Sequence, residues 1–476
     1  MTILDTIVAI RKERLIREGA AQGLDLPAER TVPVVPFGQE PFLICEIKRR
    51  SPSRGAIRAD LDPAAQAETY HRAGAVNISV LTEQDHFGGS LADLMAVKRR
   101  FPAKSILRKD FLLSREDLDV TFRAGADAFL LIASILPRET LEDLYRYGLS
   151  LGLTPLVEIH DREDAEKASA FRPGLTGINC RDLRTFTTDL THPLKVARHI
   201  TWPCRKVFES GIHSAREGEF ALGAGFDGLL VGEAVVRNPE TAGELTALFP
   251  RKTAVQEFYR PLRELYRRKQ AGRPLVKICG ITRREDALTA MDLGADMLGF
   301  VLADSPRKIT PEQLRTFRDL PVLKAGVVVL KPGEPLPRMI RELLEEGALD
   351  LIQFHGSEEP EILRQYPGYK ALRMRSPEDL EALSRFSPPP VLTDAWSPRA
   401  AGGTGERISG EIMEQLALRP ALWLAGGIRP DNVREILTCS RPDLIDLSSG
   451  VEAAPGIKDH QALKQLFTEI RIPDRY

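Results

Sequence analysis

Lys206–Val235, KVFESGIHSAREGEFALGAGFDGLLVGEAV, decides how the rest of the chain is read. It opens with a short apolar run that ends at Glu209-Ser210-Gly211. A helix-like segment follows from Ser214 to about Leu222, and a second apolar run, Gly228–Val231, ends at Gly232-Glu233. Two strands that end in glycine and flank a helix form a βαβ unit. Glycine at a strand end lets the backbone approach a ligand closely, and free N–H groups there suit an anion. Ser210, Gly211, Gly232 and the backbone N–H of Glu233 are therefore the expected frame of a phosphate site. The alternative is that these glycines only serve tight turns.

The design recurs near the C-terminus. Ala421–Ile428 reads ALWLAGGI, a helix-like segment runs from Pro430 to Leu437, and Asp443–Gly450 reads DLIDLSSG. A second phosphate site is expected at Gly426, Gly427, Ser448, Ser449 and Gly450. Phosphate sites after the last two strands mark many (β/α)8 barrels. One such unit at the end of each half predicts two barrels in tandem.

The rest of the chain fits that count. Strands are expected at Phe42–Ile47, Asn77–Leu81, Ser105–Leu107, Ala128–Ile132, Pro155–Ile159, Gly177–Asn179, Lys206–Phe208 and Gly228–Val231, with helical periodicity between them. The "AGA" and "GAGFDG" stretches at 73–75, 124–126 and 223–228 read as helix stops. Residues 251–274 are basic and helix-prone and read as a partly helical linker. Eight more apolar runs follow, from Leu275–Cys279 to Leu444–Leu447. The predicted fold is α/β, two tandem TIM barrels: residues 1–250 with an N-terminal helical extension, and 275–476.

Composition narrows the function. With 66 basic and 67 acidic residues in 476, the charge balance argues against nucleic-acid binding. No run of about 18 apolar residues suggests a membrane span. The N-terminal stretch is amphipathic and charged, unlike a signal peptide. The five cysteines are scattered, as expected of reduced thiols in a cytoplasmic protein with no zinc site.

In such a barrel the working residues sit at the C-terminal ends of strands. In the first half those ends carry Glu46 and Lys48, Lys109, Glu158, and Asn179 with Arg181. Charged groups ending apolar strands are costly to bury unless paired or used. Cys45-Glu46-Ile47-Lys48-Arg49-Arg50-Ser51-Pro52-Ser53, Leu81-Thr82-Glu83, Leu107-Arg108-Lys109-Asp110-Phe111, Leu156-Val157-Glu158-Ile159, Asn179-Cys180-Arg181-Asp182-Leu183 and Glu209-Ser210-Gly211-Ile212 together resemble the indole-3-glycerol-phosphate synthases. Cys180 departs from a frequent asparagine. The resemblance implies ring closure and decarboxylation of a carboxyphenylamino-deoxyribulose phosphate. It implies Lys109 as the acid at the ketone, Glu158 as the base, and Lys48 with Glu46 orienting the substrate. Ser51, Asn179 and Arg181 would hold the anthranilate carboxylate, and the N-terminal helix would cover the barrel mouth.

In the second half the strand ends carry Cys279, Arg307, His355 and Asp394. Gly402-Gly403-Thr404-Gly405 is too glycine-rich for a helix. Lys277-Ile278-Cys279-Gly280-Ile281-Thr282, Ser305-Pro306-Arg307, Gln353-Phe354-His355-Gly356, Asp394-Ala395, the Gly402–Gly405 loop and Asp446-Leu447-Ser448-Ser449-Gly450 resemble the phosphoribosylanthranilate isomerases. The stretch Ala395–Ala401 is a longer lead than usual, and no Phe-Asp-Trp follows the glycine loop. The resemblance implies an aminoaldose-to-aminoketose rearrangement, with Asp394 as acid, Cys279 as base and Arg307 on the anthranilate carboxylate. A thiol base near its ordinary pKa of about 8.5 then calls for a nearby cation or amide dipole.

The two implied reactions are consecutive. Expected partners are phosphorylated anthranilate-sugar substrates, with no nucleic acid, membrane or cofactor, and the chain is expected to be a monomer. Two rivals remain: barrels acting on other sugar phosphates, such as a histidine-pathway isomerisation that prefers paired aspartates, or a degenerate scaffold. Cys279 argues against the first, and the retained strand-end charges against the second.

Overall fold

The computed structural model describes residues 3–52, 55–182, 187–270, 272–395 and 408–471. The chain divides into two compact units, Met1–Glu257 and Phe258–Tyr476.

In the first unit eight strands run in parallel: β1 (Leu43–Ile47), β2 (Asn77–Leu81), β3 (Ser105–Lys109), β4 (Ala128–Ile132), β5 (Thr154–Ile159), β6 (Leu175–Asn179), β7 (Arg205–Glu209) and β8 (Gly228–Val231). Each pairs with the next in sequence, and β8 closes on β1 with Leu43 opposite Leu229 and Cys45 opposite Val231. The strands are buried almost throughout, because helices cover the outside and side chains fill the inside. That is why their sequences are apolar runs rather than alternations.

Alternation persists where charge must be placed. On β3, Lys109 lines the barrel-mouth cavity, while its neighbour Arg108 turns outward. Arg108 bonds Thr121 of the helix Arg115–Arg123 at 2.9 Å and Asp110 at 2.9 Å. The helix stops expected at the AGA stretches are real. Gly74, Gly125 and Gly225 follow their helices with φ of 84°, 93° and 93°, a region where a side chain would be strained.

The N-terminal helix α1 (Ile3–Glu18) is fixed by ion pairs, Arg11–Asp117 at 2.5 Å and Arg14–Asp85 at 2.6 Å. Ile3, Leu4 and Ile7 line the same cavity as the strand-end residues, so the helix lies at the barrel mouth.

The second unit repeats the architecture with β9 (Leu275–Cys279), β10 (Met297–Val301), β11 (Leu323–Val328), β12 (Leu351–Phe354), β13 (Gly368–Met374), β14 (Leu392–Ala395), β15 (Trp423–Leu424) and β16 (Leu444–Leu447), closed by β9 against β16. The helix Arg260–Arg268 buries Leu262, Leu265 and Tyr266, and the Tyr266 hydroxyl accepts from Trp423 Nε1 at 3.2 Å.

Most strands have a boundary that moves by one or two residues from the sequence reading, and one helix start moves by three. The helix expected from Pro430 begins at Val433. Asn432 accounts for the difference: its Oδ1 accepts from the Arg429 N–H and its Nδ2 donates to the Gly427 carbonyl, both at 2.8 Å. Those bonds hold 427–432 as a turn instead of helix. No helix among the described residues is long and apolar enough to cross a membrane.

Candidate active sites

The first cavity opens at the C-terminal ends of β1–β8, where six of these strands contribute a residue that the sequence singled out. Glu46, Lys48, Ser51, Lys109, Glu158, Asn179, Arg181, Ser210, Gly211, Gly232 and Glu233 all line it. Glu46 Oε1 lies 2.9 Å from Lys48 Nζ. Gly232 makes room for this pair: a Cβ there would stand 2.4 Å from Glu46 Oε1 and 2.6 Å from Lys48 Nζ. Asn179 Oδ1 accepts the Arg181 N–H at 3.0 Å. The buried Ser51 hydroxyl has no hydrogen-bond partner among the described residues.

Lys109 stands at the centre. Its Nζ is 2.8 Å from Glu209 Oε2, 3.7 Å from Glu158 Oε2 and 3.9 Å from Glu46 Oε2. Burial disfavours its charge, but Glu209, Glu158 and Glu46 outweigh burial and hold the ammonium above the usual lysine range. Burial alone would raise Glu158; Lys109 and His160, whose Nε2 is 3.2 Å from Glu158 Oε1, hold it below the ordinary range. Glu209 moves the other way: burial raises it, Lys109 opposes, and repulsion from Glu158 adds. Two carboxylates beside one ammonium thus divide the work. Glu158 is the more strongly acidic of the two, and Glu209 the more readily protonated.

Glu209 and His160 are the residues that reading the sequence missed. Glu209 had the signal already used for Glu158, a carboxylate ending an apolar strand. Its room is made by Gly177, where a Cβ would fall 1.9 Å from Glu209 Oε1. His160 follows β5 directly, with Nδ1 3.7 Å from Asp164 Oδ2. Both its carboxylate partners, Glu158 and Asp164, lie within four residues of it, so the signal was local in the sequence.

At the expected phosphate frame, Ser210 and Gly211 both have φ of 69°. A serine adopts this region at a cost of about 1 kcal/mol, so its surroundings hold the turn in place. A side chain at Gly211 would meet Cys180 Sγ at 2.6 Å.

The second cavity gathers Cys279, Arg307, His355, Asp394, Gly426, Gly427, Ser448, Ser449 and Gly450. The Gly402–Gly405 loop lies outside the described residues. Asp394 Oδ1 accepts the Ala395 N–H at 2.8 Å, and Oδ2 is 3.4 Å from His355 Nε2. Gly426 and Gly427 have φ of 93° and 62°. Gly450 lets its loop approach β15's loop, since a Cβ would lie 1.9 Å from the Ile428 carbonyl oxygen. Arg307 is already oriented: Nε is 3.0 Å from both Glu452 oxygens, and Nη2 is 2.8 Å from Oε2. Lys458 Nζ supports the same carboxylate at 2.9 Å.

The expected thiolate is not what the cavity favours at rest. Burial raises Cys279; Lys277 and Lys458 oppose the rise and Asp446 reinforces it, leaving the thiol protonated. Lys277 and Asp446 were also missed, because both sit within apolar strands. Among the described residues, no three His, Cys, Asp or Glu side chains converge to hold a metal ion.

Similarity to known proteins follows the same division. Residues 34–248 match the family model of indole-3-glycerol phosphate synthase, and 276–469 that of N-(5'phosphoribosyl)anthranilate (PRA) isomerase. The tryptophan biosynthesis protein TrpCF of Yersinia pestis is 31% identical over 451 residues, 91% of this chain and 86% of that one. The multifunctional tryptophan biosynthesis protein of Schizosaccharomyces pombe is 31% identical over 472 residues; this chain spans 60% of that relative's length. The crystal structure of phosphoribosyl anthranilate isomerase from Thermotoga maritima is 34% identical over 41% of this chain and 98% of its own, with a TM-score of 0.38. The chain belongs to the indole-3-glycerol phosphate synthase family over its first barrel and to the N-(5'phosphoribosyl)anthranilate isomerase family over its second.

Proposed function

We propose that the chain is a bifunctional enzyme of tryptophan biosynthesis. Residues 275–476 isomerise N-(5-phosphoribosyl)anthranilate to 1-(2-carboxyphenylamino)-1-deoxyribulose 5-phosphate. Residues 1–250 cyclise, decarboxylate and dehydrate that product to indole-3-glycerol phosphate, and 251–274 link the two. The protein works as a cytoplasmic monomer.

In the second barrel Asp394 protonates the ring oxygen and opens the furanose, and Cys279 takes the proton from C2. Arg307, held by Glu452, receives the anthranilate carboxylate as a planar fork. The phosphate rests on Gly426, Gly427, Ser448, Ser449 and Gly450. In the first barrel the Lys109 ammonium polarises the ketone as the carboxyl-bearing ring carbon attacks; the carboxyl group leaves as CO2, and Glu158 takes the proton lost from the new five-membered ring as the hydroxyl leaves as water. Lys48 and Glu46 orient the substrate. Ser51, Asn179 and Arg181 hold its carboxylate side, and Ser210, Gly211, Gly232 and the Glu233 N–H hold its phosphate.

A single observation carries the reading. In each barrel an acid and a base from different strands line one cavity, and a glycine–serine strand end lines it too. Purified protein given phosphoribosylanthranilate should show falling anthranilate-type fluorescence and accumulating indole-3-glycerol phosphate. Fluorescence loss without indole-3-glycerol phosphate would remove the first-barrel assignment, and no change at all would remove both.

A further inference from the structure

Lys277 is buried at 0% exposure inside the second barrel, two residues before Cys279 on β9. Residues two apart on a strand share a face, so both point inward. Gly299 on β10 keeps space for the two together: a Cβ there would stand 2.6 Å from Cys279 Sγ and 3.0 Å from Lys277 Cε. An ammonium is costly to place at such depth. Its Nζ is 2.6 Å from Asp446 Oδ2 and 2.7 Å from Gln353 Oε1, which also accepts from the Tyr369 hydroxyl at 2.9 Å. One Asp446 oxygen is enough to neutralise Lys277. Asp446 Oδ1 has no hydrogen-bond partner among the described residues, and Asp446 lines the cavity.

We propose that Lys277 is a positioning residue for the isomerase base: its ammonium supports the Cys279 sulfur as an anion, and Asp446 limits how much of that charge reaches the sulfur. This rests on the reading of Cys279 as the base that removes the C2 proton. Before it accepts that proton, the sulfur must have lost its own, and the charge left on it needs a partner at close range. The other titratable groups facing the sulfur's surroundings are Lys458 of the short strand Ile457–Lys458, whose Nζ is 2.5 Å from the Cys279 carbonyl oxygen, and His355 and Asp394 across the cavity. Lys458 is spoken for by Glu452 and by backbone oxygens. Lys277 is the cation on the thiol's own strand and face. The arrangement leaves the thiol protonated at rest and makes it titrate lower than its burial alone allows.

The thiol's titration is measured without substrate, so it stands or falls separately from the assigned reaction. The probe is iodoacetamide, with alkylation followed against pH by mass spectrometry of the peptide that contains Cys279, since Cys439 is exposed and also reacts. Lys277→Met should move the alkylation midpoint up by about one pH unit or more, roughly tenfold in thiolate at a given pH. Asp446→Asn should move it down, because Lys277 then acts on the sulfur unopposed. Opposite shifts cannot come from general loosening of the core, which would move both variants the same way. If Lys277→Met does not fold, the direction in Asp446→Asn decides alone. Coincident profiles, shifts of one sign, or an upward shift in Asp446→Asn would overturn the proposal.

Discussion

The shortest distance from Lys109 Nζ to a carboxylate is the 2.8 Å to Glu209, and its distance to Glu158 is 3.7 Å. The group assigned as acid therefore leans on a carboxylate other than the one assigned as base. That separation leaves Glu158 an oxygen for the substrate while Glu209 keeps the ammonium in place.

Lys109→Ala should reduce synthase turnover by about 10²- to 10⁴-fold, the range for loss of a positioned acid. Isomerase turnover should not change. Rates of both half-reactions on one purified variant check this, and wild-type-like indole-3-glycerol phosphate formation would remove Lys109 from the acid role.

Glu209→Gln takes away the first of the carboxylates that hold Lys109 charged. The ammonium then gives up its proton at lower pH. The alkaline limb of the synthase pH profile should move to lower pH, while substrate affinity at neutral pH holds. An unmoved alkaline limb would mean that Glu209 only fills space.

His160 is raised to about 10 from an ordinary 6.5: burial works against its charge, but Asp164 and Glu158 prevail. A folded value above the unfolded one stabilises the protein fully below pH 6.5 and loses that contribution as pH rises through about 10. His160→Asn should therefore lower Tm most at pH 6 and least above pH 10. It should also move the acidic limb of the synthase profile upward, because Glu158 loses a cation that holds it ionised. Equal Tm loss at every pH would assign His160 to packing alone.

Cys279→Ser should reduce isomerase turnover at least about 10²-fold, since a serine hydroxyl is a far weaker acid than a thiol and supplies almost no anion. Given 1-(2-carboxyphenylamino)-1-deoxyribulose 5-phosphate directly, the variant should form indole-3-glycerol phosphate at the wild-type rate. Loss of both activities would point to unfolding, and retained isomerase turnover would refute the base role.

Gly450→Ala places a Cβ 1.9 Å from the Ile428 carbonyl oxygen, a backbone atom that cannot rotate away. The loops after β15 and β16 must separate. The isomerase KM should rise at least about tenfold, as expected when a phosphate cradle is displaced by about 1 Å, with synthase kinetics unchanged. An unaltered KM would place the phosphate elsewhere.

The legible part of this protein is the part written in single strands. Many barrel strands are apolar runs closed by a charged or glycine residue, because burial on both faces favours apolar side chains and the rim tolerates polarity. Lys48, Lys109, Glu158, Cys279 and Asp394 are visible for that reason, and the structure lines two cavities with them. Helix stops such as Gly125 are visible too, since a left-handed residue is chemically marked. The start of the helix at Val433 is not, because the Asn432 bonds that delay it compete locally with helix formation on nearly equal terms.

Chain order alone thus determined two barrels, their rims and most of the residues on them. Tertiary structure decided which of those charges are partners. Glu209 meets Lys109 from a strand a hundred residues away, and Lys277 meets Asp446 across the closure of β9 on β16. Proton affinity depends on distance and on exclusion of water, and neither exists until the cylinder closes.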